Sequence, residues 1–308
     1  MPPLGPVTFP TMHRVRQAFP STRLDDIPGG VRSTLAGADL PIKRGDTVAV
    51  GAGSRGIANI AVIVRATVDW LKAQGARPFV FPAMGSHGGA TAEGQRSVLE
   101  QYGITDATMG CEVRASMEVI QVGEALGLPV WLDRIASEAD WIGLVNRIKP
   151  HTDFKGSIES GLFKMMTIGL GKYHGATQYH RANVNHGYET VITAVGREML
   201  AKARIGFGLG ILENGYDETA CVEAFNAADL EAGERRLLKD ARAWMARLPF
   251  SPIDVLVVEE IGKNVSGSGM DIPPMMRQSL PVLSHACVIR RVCAAPFPSL
   301  SSHLNVIQ

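Results

Sequence analysis

The stretch from Asp46 to Pro82 sets the tightest limit on what this chain can fold into. A β-branched run, Asp46-Thr-Val-Ala-Val50, closes in glycines, and residues 57–74 then carry Ile60, Ile63, Val64, Thr67, Val68 and Leu71 at helical spacing. Arg77-Pro-Phe-Val-Phe-Pro82 follows as a second strand. A strand, a helix and a strand in this order form a βαβ unit, whose strands lie parallel and whose functional loops sit at the strands' carboxyl ends. GAGSRG at 51–56 and MGSHGG at 84–89 both fall at such ends.

The pattern repeats more loosely downstream. The spacing predicts a helix over 91–102, extended segments near 118–122 and 129–132, and a buried strand over 140–145. It then predicts a helix over 188–203, a glycine-rich strand over 205–212 and a charged amphipathic helix over 228–247. Leu248-Pro-Phe-Ser-Pro252 reads as a linker, and Ile253–Val258 as a new strand. The expected class is α/β: a domain over 1–249 with a mostly parallel sheet and helices on both faces, then part of a second α/β domain over 250–308. From about residue 272 the tail is atypical, with five prolines and no Asp, Glu or Lys, a composition that neither packs nor solvates well.

With 308 residues, 45% of them hydrophobic, the chain can bury a sizeable core. Its 31 basic and 30 acidic residues, without a block of like charges, exclude the basic stripe of a nucleic-acid binder. Cys111, Cys221, Cys287 and Cys293 show no CxxC spacing, so neither a disulfide framework nor a cysteine zinc site is expected. Prolines interrupt the N-terminus where a signal peptide needs an apolar run, and no apolar stretch approaches the roughly 18 residues of a membrane span. A cytoplasmic protein with no membrane partner is the expectation.

Between Trp141 and His186 lysines and histidines crowd into a glycine-rich, apolar run: Lys149, His151, Lys155, Lys164, Lys172, His174, His180 and His186. Such groups are costly to desolvate, so their crowding points to a site. Lys164 stands in Gly161-Leu-Phe-Lys-Met-Met166, where apolar neighbours would depress its pKa and leave it nucleophilic, or where it snorkels to the surface. His174, His180 and His186 are spaced by six, so on one helix they share no face. A metal there would take one or two of them plus a non-protein ligand. His151 follows Pro150, and Asp153 would orient it or cap a helix. Met84, Met165 and Met166 read as core.

His87, flanked by Ser86 and two glycines, is placed to carry protons in a loop open to a ligand, or to cap a turn. GAGSRG satisfies GxGxxG after a strand and before a helix, yet the second strand ends Phe81-Pro82-Ala83, without the acid that grips a ribose. Arg55 at that turn suits a small anion; the same residues also make a plain tight turn with an exposed arginine.

The order of these parts resembles the nickel-pincer-dependent lactate racemase family. The resemblance runs from about residue 45 to 190: an [ST]-R turn, a G-[ST]-H loop, a strand running into Pro-His, and a lysine followed sixteen residues on by a histidine. It implies an isomerase that racemises or epimerises a 2-hydroxy acid by hydride transfer. It implies a covalently attached nickel-pincer nucleotide, nickel pyridinium-3,5-bisthiocarboxylic acid mononucleotide, made by cofactor-synthesis proteins. Carried over, Lys164 anchors the cofactor, His180 ligates nickel and Gly169 matches a cofactor-site glycine. His87 and His151 become the acid/base pair, and Arg55 the substrate contact. An NAD-dependent oxidoreductase using GAGSRG, or a non-catalytic protein binding cofactor or nickel, are the alternatives.

Overall fold

In a computed structural model the described residues are 11, 13–53, 56–151, 154–250, 256–257 and 288–289. The chain divides into two compact units, Pro20–Met245 and the flanking stretches Met1–Phe19 with Ala246–Gln308.

In the larger unit α1 (Ile27–Gly37) precedes β1 (Thr47–Ala52), α2 (Ile60–Ala73) and β2 (Arg77–Pro82), the βαβ unit expected from the sequence. A 3-10 turn (Gly88–Ala90), α3 (Ala92–Gln101) and α4 (Asp106–Met109) lead to a hairpin of β3 (Val119–Ala125) and β4 (Leu128–Asp133). Next come α5 (Arg134–Ser137), β5 (Trp141–Arg147) and α6 (Leu162–Lys164), which runs into a π-helical turn (Met165–Gly169). The unit closes with α7 (Lys172–His186), α8 (Tyr188–Lys202), β6 (Ile205–Glu213), β7 (Thr219–Phe225) and α9 (Leu230–Trp244). The sheet has the order β2-β1-β5-β6-β7, parallel except for the antiparallel β6–β7 pair.

Period-two alternation splits the core between the two faces. Val48, Val50, Val80, Val145, Phe207, Leu209 and Ile211 meet α1, α2, α3 and α4 on one side. Ala49, Phe79, Phe81, Ile142 and Leu144 meet α6 to α9 and the β3–β4 hairpin on the other. The glycines of β6 serve that second face. A Cβ on Gly208 would come within 2.8 Å of Leu162 and Leu230, and one on Gly210 within 2.9 Å of Leu237 and Ile148, so their absence lets α6 and α9 close on the sheet. The β3–β4 turn places Leu126 and Gly127 at φ 57° and 71°, the left-handed pair that suits the twist of a two-residue hairpin.

The extended segments expected near 118–122 and 129–132 are this hairpin, lying outside the main sheet. The expected charged helix is α9. The helix α7 was not predicted: its apolar pattern is weak, and its buried Ala176, Tyr179 and Ala182 find their partners only in the folded core. In the smaller unit β8 (Leu256–Val257) pairs in parallel with β9 (Val288–Ile289), and Gln17 donates to the Arg247 carbonyl at 2.8 Å. Apart from β9, the tail from residue 272 lies outside the described residues.

Candidate active site

From β1 the chain crosses through α2 to β2 on one side, and returns to place β5 on the other side of β1. Loops leaving β1 and β5 therefore diverge, and such a switch point opens a crevice at the strands' carboxyl ends. Its floor is close-packed: a Cβ on Gly53 would meet Asn146 Oδ1 at 2.9 Å and Met165 Cε at 3.4 Å. Asn146 Nδ2 also donates to the Gly161 carbonyl at 2.9 Å, tying the end of β5 to the start of the lysine segment. Arg55 lies outside the described residues.

Lys164 ends the short helix α6. The Phe163 N–H donates to the buried carboxyl of Glu234 at 2.8 Å, an acceptor that caps the start of α6. After Lys164 the helix widens into the π turn, where the Leu170 N–H donates to the Met165 carbonyl at 2.9 Å. π turns break regular spacing and concentrate at functional sites. Phe163, Met165 and Met166 are buried around a half-buried Lys164, whose Nζ lies 3.5 Å from Ser160 Oγ. The apolar setting expected for this lysine is present, and so is the core role of Met84, Met165 and Met166.

His151 opens a loop pinned at its base by the Lys149–Ser160 bridge. Buried Glu159 organises the loop, accepting the N–H groups of His151 at 2.6 Å and Gly156 at 2.9 Å and pairing with Arg242 at 2.6 Å. The His151 ring packs on Phe154 with centroids 4.5 Å apart, and Phe154 stacks on Tyr188 at 4.9 Å. The edge of His180 meets the same Tyr188 at 6.4 Å. His151 and His180, 29 residues apart in sequence, thus stand on one aromatic ladder. His180 is exposed, yet partial burial and then the nearby Lys164 ammonium hold its pKa below the usual imidazole value. Lys164, His180 and His151 are brought together.

His87 lies half-buried in the loop after β2. That loop rests on the lysine segment: a Cβ on Gly169 would lie 2.6 Å from the Ala83 carbonyl, and one on Gly85 would lie 2.9 Å from Ile168 and 3.0 Å from Ala176. Gly169 is therefore the contact that lets the end of β2 approach the π turn.

Sequence reading missed the group that fixes this arrangement. Lys172, one of the crowded lysines, is fully buried with φ 52° and pairs with buried Asp133 at 2.8 Å. Its Nζ also donates to the Pro82 carbonyl at 2.5 Å and to Gln95 Oε1 at 3.1 Å. Gln95 in turn donates to the carbonyls of Met84 and Gly85, clamping the His87 loop. Burial lowers the Lys172 pKa, and Asp133 opposes that shift. Breaking such a buried pair from one side costs about 3–5 kcal/mol. The partners lie 39 to 90 residues away along the chain, so no local pattern announces them.

Among the described residues no three His, Cys, Asp or Glu side chains converge as a metal site. A lysine beside one imidazole held toward its neutral form instead suits a metal that arrives with most of its own donors and takes one from the protein. Lys164 and His180 are the side chains that could hold such a group; His174 lies elsewhere on α7, 6.0 Å from the Trp131 ring. Glu213 gives the turn after β1 a different role from a dinucleotide loop. It accepts the Ala58 N–H at 2.7 Å just ahead of α2 and pairs with Arg147, supplying the negative charge a pyrophosphate would bring.

No family model and no curated protein matches the sequence. Among solved structures, the lactate racemase apoprotein from Thermoanaerobacterium thermosaccharolyticum is similar in fold, with a TM-score of 0.57 and 15% sequence identity. The alignment covers 77% of this chain and 60% of that one, so this chain spans well under the length of its neighbour. No helix among the described residues is long and apolar enough to cross a membrane.

Proposed function

We propose that this chain belongs with the nickel-pincer lactate racemases and acts as an isomerase on a small 2-hydroxy acid. The observation that carries the reading is the meeting of Lys164, His180 and His151 at the switch point of a sheet shared with a lactate racemase. Lys164 would hold the pyridinium dithiocarboxylate mononucleotide covalently and His180 would ligate its nickel; once bound, the group supplies a hydride acceptor for a Cα–H that is not acidic.

The remaining work falls to this chain's own side chains. One of His87 and His151 would take the proton of the substrate hydroxyl, and the other would return a proton on the opposite side. Two imidazoles on different loops serve two enantiomers, which one base could not reach equally. Glu159 holds the His151 backbone and Phe154 its ring, and the Lys172–Gln95 clamp sets the His87 loop, so each base has its own support. Arg55 would grip the carboxylate through paired N–H donors while the planar keto acid turns over. A cytoplasmic setting, where the cofactor-making proteins supply the group, belongs to the same proposal.

The oxidoreductase alternative is weaker on two counts. β2 ends at Pro82 without a ribose-gripping acid, and Glu213 already occupies the approach to α2.

The test is mass spectrometry with nickel analysis on protein co-expressed with cofactor-making proteins. The wild type should carry one covalent adduct and about one nickel, and Lys164→Ala should carry neither. His180→Ala should keep the adduct and lose nickel. His87→Ala and His151→Ala should keep both and lose roughly 10²–10⁴ in rate. An adduct that persists in Lys164→Ala, or that maps to Lys155 or Lys172, would overturn the assignment.

A further inference from the structure

A second concavity lies beside α7, away from the tethering lysine. It has a volume of about 520 Å³, and Leu128 at the tip of the β3–β4 hairpin forms its far wall. Along the helix it is lined by Tyr173, His174, Thr177, Arg181, Asn185 and His186, and among the described residues no carboxylate lines it. At about 100° per residue His180 points roughly 120° away from the centre of this strip, so the groove and the His151–His180 ladder use different faces of one helix.

The wall is built rather than loose. Gln178 is held at both ends, accepting from Trp131 Nε1 at 3.0 Å and donating to the Pro129 carbonyl at 2.8 Å, which locks α7 to the hairpin. Trp131 in turn lies 6.0 Å from the His174 ring. Arg181 has no ion-pair partner among the described residues, whereas Arg197, Arg235, Arg236 and Arg242 on neighbouring helices each hold a carboxylate. An unpaired guanidinium in an acid-free concavity is poised for an anion.

The two ends of the groove differ in chemistry. Tyr173, half exposed, and His174 present ring faces at the N-terminal end, while Arg181, Asn185 and His186 present donors at the C-terminal end. Tyr173 and Arg181 are eight residues apart, roughly 12 Å along the axis, and Asn185 and His186 lie further on. That separation matches a planar ring joined through a sugar-sized spacer to a phosphate. The helix dipole disfavours an anion near the C-terminus of α7, so a site there depends on its side-chain cations.

We propose that this groove binds a monophosphate ester carrying an aromatic ring, a ligand of mononucleotide size, with the phosphate on Arg181 and the ring against Tyr173 and His174. The proposal is independent of the racemase reading, because it uses none of the residues assigned to it.

Calorimetric titration of the full chain with adenosine monophosphate tests it, with inorganic phosphate and adenosine as the two halves of the ligand. The monophosphate should bind with a sub-millimolar Kd, about tenfold or more tighter than either half. Arg181→Gln should weaken it by about tenfold or more and Tyr173→Ala by a smaller factor, both with unchanged unfolding midpoints since both side chains are exposed. Lys164→Ala should leave it unchanged. Equal affinity in wild type and Arg181→Gln, or no binding at millimolar ligand, would overturn the proposal. Phosphate binding as tightly as the monophosphate would remove the ring from it, and loss in Lys164→Ala would move the ligand to the other site.

Discussion

Glu234 caps α6 one residue ahead of Lys164 from a position with no exposed surface, and its second oxygen, Oε1, has no hydrogen-bond partner among the described residues. Burial is the dominant influence on it and pushes its pKa up to about 8, against the N–H groups of Phe163 and Leu162, which favour the carboxylate. A carboxyl whose folded pKa is raised binds its proton more tightly folded than unfolded. Its contribution to stability is therefore whole below the unfolded value near 4.5 and is lost as pH rises towards about 8. Glu234→Gln keeps the cap acceptor and cannot ionise. Urea unfolding should show the variant within about 1 kcal/mol of wild type near pH 5 and more stable by roughly 1–3 kcal/mol at pH 9. Parallel stability curves across that range would mean that the carboxyl is ionised throughout.

Between residue and fold, the elements differ in how far the chain announces them. The βαβ unit was legible because β1, α2 and β2 each carry an uninterrupted apolar period, and α2 buries Ile60, Ile63, Val64, Thr67, Val68 and Leu71 as its spacing requires. The candidate site was legible only as composition: the run of lysines and histidines marked Lys164, His151 and His180, but the aromatic ladder that joins two of them depends on Phe154 and Tyr188 meeting across a loop. The π turn and α7 were not legible, since glycines at 169, 171 and 175 argue against a helix locally. Their purpose appears only in tertiary packing. Gly169 stands where any Cβ would strike the Ala83 backbone, and a carbonyl cannot swing aside as a flexible side chain can. Gly169→Ala should therefore destabilise the chain by about 1–3 kcal/mol in urea unfolding. It should also loosen the His87 loop, seen as faster amide exchange over residues 84–90. A variant as stable and as protected as wild type would show that β2 and the π turn have room to separate.

At the scale of the whole molecule, the two hydrophobic clusters on either side of the sheet, among the described residues, draw every member from within Pro20–Met245. The described candidate residues His87, His151, Lys164, Gly169 and His180 fall in the same unit, as do Lys172 and the groove beside α7. Hydrophobic burial on both faces is the dominant favourable term for a domain of this size, and the described core residues that supply it all lie inside that span. A chain cut to residues 20–245 should accordingly fold and unfold in one cooperative urea transition. Co-expressed with cofactor-making proteins, it should gain the same adduct on Lys164 as the full chain. The truncated chain should match the full chain in adduct yield. A fragment that unfolds without cooperativity, or that folds but fails to acquire the adduct, would place part of the cofactor site outside Pro20–Met245.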